Sequence, residues 1–326
     1  QHLSEQMDEA IPHLPDMHPK DRTDIPGGVT KYTALAIKAR ANLELENYQA
    51  VADATAEIIN SGNFSLMEDY YNLFKIPGKL SDENILELQY SDFGQGSGDR
   101  KGYLYAFFGP QGAFYKPKVE GARGGWGFYE PSIKWIKFML DRGEQIRLQT
   151  SVLFTPRGIA EIKSDPDYAN LPDWISNETP SGDVVLDYPR AMFASGKHYL
   201  PSDQLIPGRN AYGSNNNFRC IRYAEILLMY AEAIAQGASG SGMTADQAVN
   251  AVRERAGLDP ITSVTLDQVM DEKFAELAME WGIRYYDLVR LGRTGELNYE
   301  GRTFSEEKTF LPYPQNQVDI LPGLQN

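Results

Sequence analysis

Apolar residues recur at helical spacing in two separated stretches of this chain, and between them the period is lost across residues 63–216. The pattern predicts a helical hairpin, a large loop-rich insertion, further helical hairpins and a tail. In the first stretch Tyr32, Leu35, Ala36, Ala39 and Leu43 fall at i, i+3, i+4, i+7 and i+11. A break at Glu46-Asn47 precedes a second helix over about 48–60, with Val51, Ala54 and Ile58 on its face. Asn60-Ser61-Gly62 reads as its stop signal.

These two helices, with a tight turn and small alanines at their contact, resemble one tetratricopeptide unit, which cannot stack alone. Before them, residues 1–28 carry Pro12, Pro15, Pro19, Pro26 and Gly27-Gly28, and are expected to form an extended lead-in. In the last third Tyr223, Ile226, Leu227, Tyr230, Ala231 and Ile234 form one long stripe. Val249, Val252 and Ala256 mark the returning helix, closed by Gly257. A third helix is expected to start at the N-cap Thr265 and run through Phe274 and Leu277 to Trp281. Gly282 interrupts it, and Tyr285, Leu288 and Val289 continue the pattern to Gly292. The expected divisions are therefore 1–28, 29–62, 63–216 and 217–326. The fold class is mostly α, with short strands in the insertion.

Composition removes several functions. A formal charge of -14 repels polyphosphate, so no nucleic-acid partner is expected. No run reaches the length of a membrane span. At 326 residues the chain can bury a core without disulfides, and its single cysteine, Cys220, could form none within the chain. It begins at Gln1 with no signal peptide, as a processed or truncated product would.

Catalytic motifs are missing. There is no His-Glu-x-x-His, no Gly-x-Ser-x-Gly elbow and no glycine-rich phosphate loop ending in Lys-Ser/Thr. His198, the only histidine beyond the first 18 residues, reads as structural or surface, and Cys220 as an inert thiol beside an apolar helix. Asp82, Glu83, Glu87, Asp92 and Asp99 lie near the insertion, but nothing in their spacing pairs two of them as a glycosidase requires. A charged set in the final helices is more ordered: Arg222 with Glu225, then Glu272, Glu276, Glu280 and Arg284 four apart, then Asp287. Arg222, Glu225, Glu280, Arg284 and Asp287 are read as an ion network locking hairpins together rather than an acid–base site. No cofactor is implied, although loop carboxylates leave room for a structural calcium ion.

The insertion carries the binding signal. From 91 to 127 glycines alternate with aromatic residues. A flat ring on a stiff loop can cover the C–H face of a sugar while neighbouring polar groups take the hydroxyls. Trp126, Tyr103, Tyr105, Tyr115, Tyr129 and Trp174 are the candidates for that role. Each could instead fill a small satellite core.

Residues 217–233, from Asn217-Phe218-Arg219 through Arg222-Tyr223-Ala224-Glu225 to Ala233, resemble the signature helix of the SusD/RagB family. The segments 249–258 (Val249-Asn250-Ala251 to Gly257-Leu258) and 280–290 (Glu280-Trp281-Gly282 to Arg290) are similar to its next two hallmarks. Gly125-Trp126-Gly127-Phe128-Tyr129-Glu130-Pro131, the span Tyr32 to Phe74 and the ending from Pro312 also match in order. The sequence departs from the family's usual pattern at Glu272-Lys273 and at Glu144-Gln145-Ile146-Arg147. The resemblance implies a tetratricopeptide-like scaffold with irregular loops building a ligand face. It implies non-catalytic binding of glycan or other nutrient at the bacterial outer membrane, with a SusC-like TonB-dependent transporter as partner. It further implies a lipid anchor and earlier hairpins N-terminal to this sequence. A polysaccharide-cleaving glycoside hydrolase and a helical scaffold for protein or peptide are the alternative readings.

Overall fold

The computed structural model describes residues 1–91, 102–205, 214–309 and 312–324. The readings placed on Asp92 and Asp99, and on residues 92–101 of the glycine-rich stretch, lie outside the described residues. The chain divides into two compact units, Gln1–Trp281 and Gly282–Asn326.

The expected extended lead-in is helical at its start. Helix α1 spans His2–Ala10, where no proline or glycine interrupts the chain; prolines begin at Pro12. It lies along α2 (Lys31–Glu44), with Lys38 Nζ on Asp8 at 2.5 Å and Asn42 Nδ2 donating to Ser4 at 2.8 Å. Proline content misled here because all four prolines follow the helix, Pro12 and Pro19 in the turns Ile11–His13 and Pro19–Asp21. Helix α2 starts at Thr30, whose backbone N–H donates to Thr33 Oγ1 at 3.1 Å. It packs on α3 (Tyr48–Asn60) as the expected hairpin. Gly62, at φ +69°, takes the left-handed turn just past that helix.

The insertion is more ordered than its prolines suggest. After α4 (Tyr70–Leu73) and β1 (Asn84–Leu88) come α5 (Leu104–Phe108), β2 (Tyr115–Lys116) and α6 (Ile133–Asp141). Next are α7 (Ile146–Ser151), β3 (Val152–Phe154), α8 (Pro156–Lys163), β4 (Val184–Val185) and β5 (Phe193–Ser195). Helix α7 has only six residues and α8 only two large apolar ones, Ile159 and Ile162, so sequence reading sees only α6. They share a core with it: Trp135, Ile136, Met139, Leu148, Phe154 and Ile162 pack together. The strands pair two by two, β2 with β4 and β3 with β5, both antiparallel.

Strand β6 (Phe218–Arg222) pairs antiparallel with β1 through a bulged register and leads into α9 (Tyr223–Ala235). Every residue from Tyr223 to Ala233 is buried, because α3, α10 (Ala245–Arg255) and α11 (Leu266–Glu276) each pack on α9. A helix apolar on every face is the expected response to being surrounded. Thr265 caps α11 as expected, in a capping box with Gln268. The helix then stops at Glu276, five residues short of the expected Trp281. Met279 and Trp281 take φ 67° and 44°, which no helix allows.

The charged set forms a network, built differently from its sequence spacing. Arg222 ends a strand, so it does not share a helix face with Glu225, which pairs with Arg40 at 2.6 Å. Arg222 instead meets Glu83, Glu276 (3.0 Å) and Glu280 (2.8 Å). Arg255 bridges Glu83 (2.9 Å) and Glu276 (2.5 Å), while Arg147 binds Glu144 and Glu272 (2.6 Å). The cluster joins α7, α10, α11, β6 and the segment before β1, with most of its members buried.

In the second unit, Gly282 (φ +77°) precedes α12 (Ile283–Arg290), and α13 (Gln315–Ile320) follows. Arg284 pairs with Glu296 at 2.5 Å and Asp287 with Arg290 at 2.6 Å inside this unit.

Candidate functional site

Helix α5 is only five residues long, so most of its carbonyls lack partners within it. The segment after Gly124 supplies them. Trp126 N donates to Ala106 O (2.8 Å), Gly127 N to Gly109 O (2.9 Å) and Phe128 N to Phe107 O (2.9 Å). The strip 125–128 is thereby laced to the helix end. Glycine is required for this lacing: a Cβ on Gly125 would lie 2.3 Å from Tyr105 O, and Gly127 sits at φ +64°. Arg190 and Glu130 hold the far side. Arg190 Nη2 donates to Trp126 O at 3.0 Å, and Glu130 accepts from Met192 N at 2.9 Å.

The lacing presents a face of rings. Phe107 meets Trp126 edge-on at 5.0 Å, and Trp126 meets Phe128 at 5.5 Å. Phe107 (40%), Phe128 (55%) and Tyr129 (37%) are exposed, and Trp126 is half-buried. The Arg190 guanidinium lies 5.3 Å from the Phe128 ring centre, a cation–π contact. Tyr103 is exposed one turn before Phe107, whose N–H bonds its carbonyl at 3.0 Å.

Of the candidates named from sequence, Trp126, Tyr103 and Tyr129 lie on or beside this face. Tyr105 and Tyr115 do not, since both are buried with their hydroxyls committed. Tyr105 donates to Arg123 O at 2.9 Å and Tyr115 to Asp183 at 2.8 Å. They are the internal supports the alternative reading allowed, Tyr105 from α5 and Tyr115 from β2. Trp174 packs on the α6–α8 core and borders a second, smaller pocket. Phe107, Phe108 and Phe128 were not candidates from sequence. A preference for rings with a polar edge hid them, yet their signal was present in Phe107-Phe108 and Phe128-Tyr129, aromatic pairs flanking the glycine-rich turn.

Behind the face, Phe108 and Tyr129 lie 5.1 Å and 5.7 Å from the His198 ring. His198 borders a small pocket, together with Leu104, Asn216 and Trp281. Its Nδ1 shares a 2.7 Å hydrogen bond with Ser195 Oγ. Burial, reinforced by the neighbouring Lys197 charge, pushes its pKa down to about 3, so the ring is neutral. Burial also lowers Lys197 to about 8, while its 2.7 Å bond to Glu280 opposes the shift. Burial likewise raises the Cys220 thiol to about 11, which makes it unreactive.

Among the described residues, two carboxylates near the rings are committed elsewhere: Glu130 to backbone N–H groups, Glu280 to Arg222 and Lys197. Among the described residues, no group of three or more His, Cys, Asp or Glu is placed to hold a metal ion. No helix among them is long and apolar enough to cross a membrane.

Comparison with known proteins places these features in a family. The sequence model described as SusD family matches residues 82–326. The chain is 25% identical over 280 residues to SusD-like protein P2 of Formosa agariphila, covering 80% of this chain and 50% of that protein. It thus spans about half the length of the curated relative it matches. Surface glycan-binding protein A from Bacteroides thetaiotaomicron, in complex with laminarihexaose, superposes with a TM-score of 0.75 at 25% identity. That match covers 99% of this chain and 68% of the other. A laminarin binding SusD-like protein has the same fold, with a TM-score of 0.72 at 24% identity, covering 97% of this chain and 65% of that one.

Proposed function

The chain belongs to the SusD family, and on that premise we propose that it binds neutral glycan without transforming it. The ring face of Phe107, Trp126, Phe128 and Tyr129 carries this reading. Exposed aromatic residues normally scatter singly over a soluble surface, whereas a contiguous patch marks a binding surface. Here the rings are fixed by backbone hydrogen bonds, so little order remains to be gained on binding. Sugar rings offer C–H faces to such a surface. Each stacking contact contributes about 0.5–1.5 kcal/mol, so two or three together are needed for selectivity.

The resemblance to a protein solved with laminarihexaose makes that oligosaccharide the first ligand to test. The binding role, rather than a hydrolytic one, is supported by the committed carboxylates around the rings. On the same premise the proposal extends to uptake: delivery of glycan to a SusC-like TonB-dependent transporter at the outer membrane surface, with the full-length protein held there by a lipid anchor. Co-purification of such a barrel with the full-length protein would test that extension.

Isothermal titration calorimetry with laminarihexaose and a panel of unrelated glycans tests the binding itself. Trp126→Ala and Phe128→Ala should each weaken binding by about two- to tenfold, with the thermal midpoint of Phe128→Ala unchanged. Wild-type affinity in both variants, or no glycan bound by the wild type, would sink the reading. Sugar released on incubation would replace it with the hydrolase alternative.

A further inference from the structure

Aromatic rings cover the C–H faces of a sugar but leave its hydroxyls unread, so a surface of rings alone discriminates poorly between glycans. Arg190 stands beside the exposed rings, bonded to the Trp126 carbonyl and lying over Phe128. We propose that Arg190 is a specificity-determining residue of the ring face, donating from its guanidinium to hydroxyl oxygens of a sugar stacked on the rings. The proposal rests on the glycan-binding reading above.

Three observations carry it. The first is that the arginine is placed in advance. A β-bridge between Tyr188 and Ala191 closes its loop, and Arg157 Nη2 donates to the carbonyls of both residues at 2.9 Å. Tyr188 is buried, with its ring centre 5.5 Å from that of Phe114. Just beyond the loop, Glu130 accepts from Met192 N at 2.9 Å and Phe193 N at 3.1 Å. The side chain is then fixed at its tip, by the 3.0 Å bond from Nη2 to Trp126 O and by the Phe128 ring 5.3 Å away. An arginine held in this way has less rotamer freedom to lose when a ligand arrives.

The second observation is what the tip holds in reserve. A guanidinium carries five N–H donors, and the bond to Trp126 O uses one. The chain has 45 acidic residues against 31 basic ones, yet among the described residues no carboxylate forms an ion pair with Arg190. The residue is exposed, so its remaining donors are solvated and can exchange water for hydroxyls.

The third is proximity. The guanidinium touches Trp126 through the carbonyl and Phe128 through the ring. A sugar stacked on this pair brings the hydroxyls at its rim within reach of the same group. A charged donor also makes a stronger hydrogen bond to a neutral hydroxyl than an uncharged donor does.

Arg190 could instead act only as a clamp on the Trp126 carbonyl, and two variants separate the roles. Arg190→Met removes every donor and should weaken laminarihexaose by about three- to tenfold in calorimetry. Arg190→Lys keeps the charge and a donor for the carbonyl, but has no planar fork to serve carbonyl and sugar together. It should bind as weakly as Arg190→Met. In the ¹⁵N-labelled wild type, added laminarihexaose should move the Arg190 Nε–H resonance, identified by its loss in Arg190→Lys. Laminarihexaose that binds and is weakened by Phe128→Ala, while Arg190→Lys keeps wild-type affinity or the Arg190 resonance stays still, would overturn this role and leave the ring face standing. Should either variant fail to fold, the wild-type resonance decides alone. No binding of laminarihexaose to the wild type would overturn both readings.

Discussion

At Gly125 the missing side chain is what lets the ring face exist. The Tyr105 carbonyl oxygen would lie 2.3 Å from a Cβ there and, being backbone, could not swing aside. Gly125→Ala should therefore pry the 125–128 strip from α5, at a cost of about 1–3 kcal/mol. Glycan affinity should fall with it, although residue 125 presents no ring. Gly295→Ala is the control: its Cβ would meet nothing within 4 Å, and its φ is not in the left-handed region. Thermal denaturation of the pair checks the prediction, and equal midpoints would refute it. The same scale explains the uneven record of the six candidate aromatics. Composition identifies a residue as able to stack, but only its neighbours decide which side of the backbone it occupies. Tyr105 and Phe107 are two residues apart in one short helix, and they point to core and solvent respectively.

Among the helices, burial sets the order of stability. Helix α9 buries eleven consecutive residues, Tyr223 to Ala233, whereas α1 buries none and is held by contacts such as Lys38–Asp8 and Asn42–Ser4. Local opening needs least free energy where few apolar contacts are lost. Amide hydrogen exchange should accordingly be fastest in α1 and slowest in α9. Protection in α1 equal to that in α9 would show that α1 belongs to the cooperative core. Helix α11 teaches a different lesson. Its apolar period runs on to Leu277 and Trp281, yet the helix stops at Glu276 because Trp281 finds Phe218 and the Arg219 carbonyl in a non-helical backbone. Tertiary partners here override local propensity.

Across the unit Gln1–Trp281, the buried ion network ties distant segments together and makes stability depend on pH. Its arginine and lysine neighbours hold Glu276 at about 2, against an ordinary 4.5, despite the opposing effect of burial. Glu272 and Glu280 are lowered for the same reason. A carboxylate whose folded pKa lies below its unfolded value stabilises the fold fully above the unfolded value. That contribution is lost as pH falls through the folded one. Denaturant midpoints should therefore be flat above about pH 5 and decline steadily between about pH 4.5 and 2. Arg222→Met would leave Glu83, Glu276 and Glu280 short of a partner in a buried site. Removing one partner of a buried pair costs about 3–5 kcal/mol. A midpoint like that of the wild type at pH 7 would mean that the network does not hold the segments together.

Sequence alone determined the helical frame, the capping of α11 at Thr265, the irregular insertion and the presence of an aromatic, glycine-rich turn. These features follow from period, cap chemistry and backbone freedom, all of which act over a few neighbouring residues. The tertiary structure decided which rings face solvent, which acid each arginine meets, where α11 ends and that His198 and Trp281 share a pocket. Those outcomes depend on contacts between segments far apart in the chain, such as Arg222 with Glu83 or Phe108 with His198. No local pattern encodes such contacts, because they form only when the packed elements bring their side chains within reach.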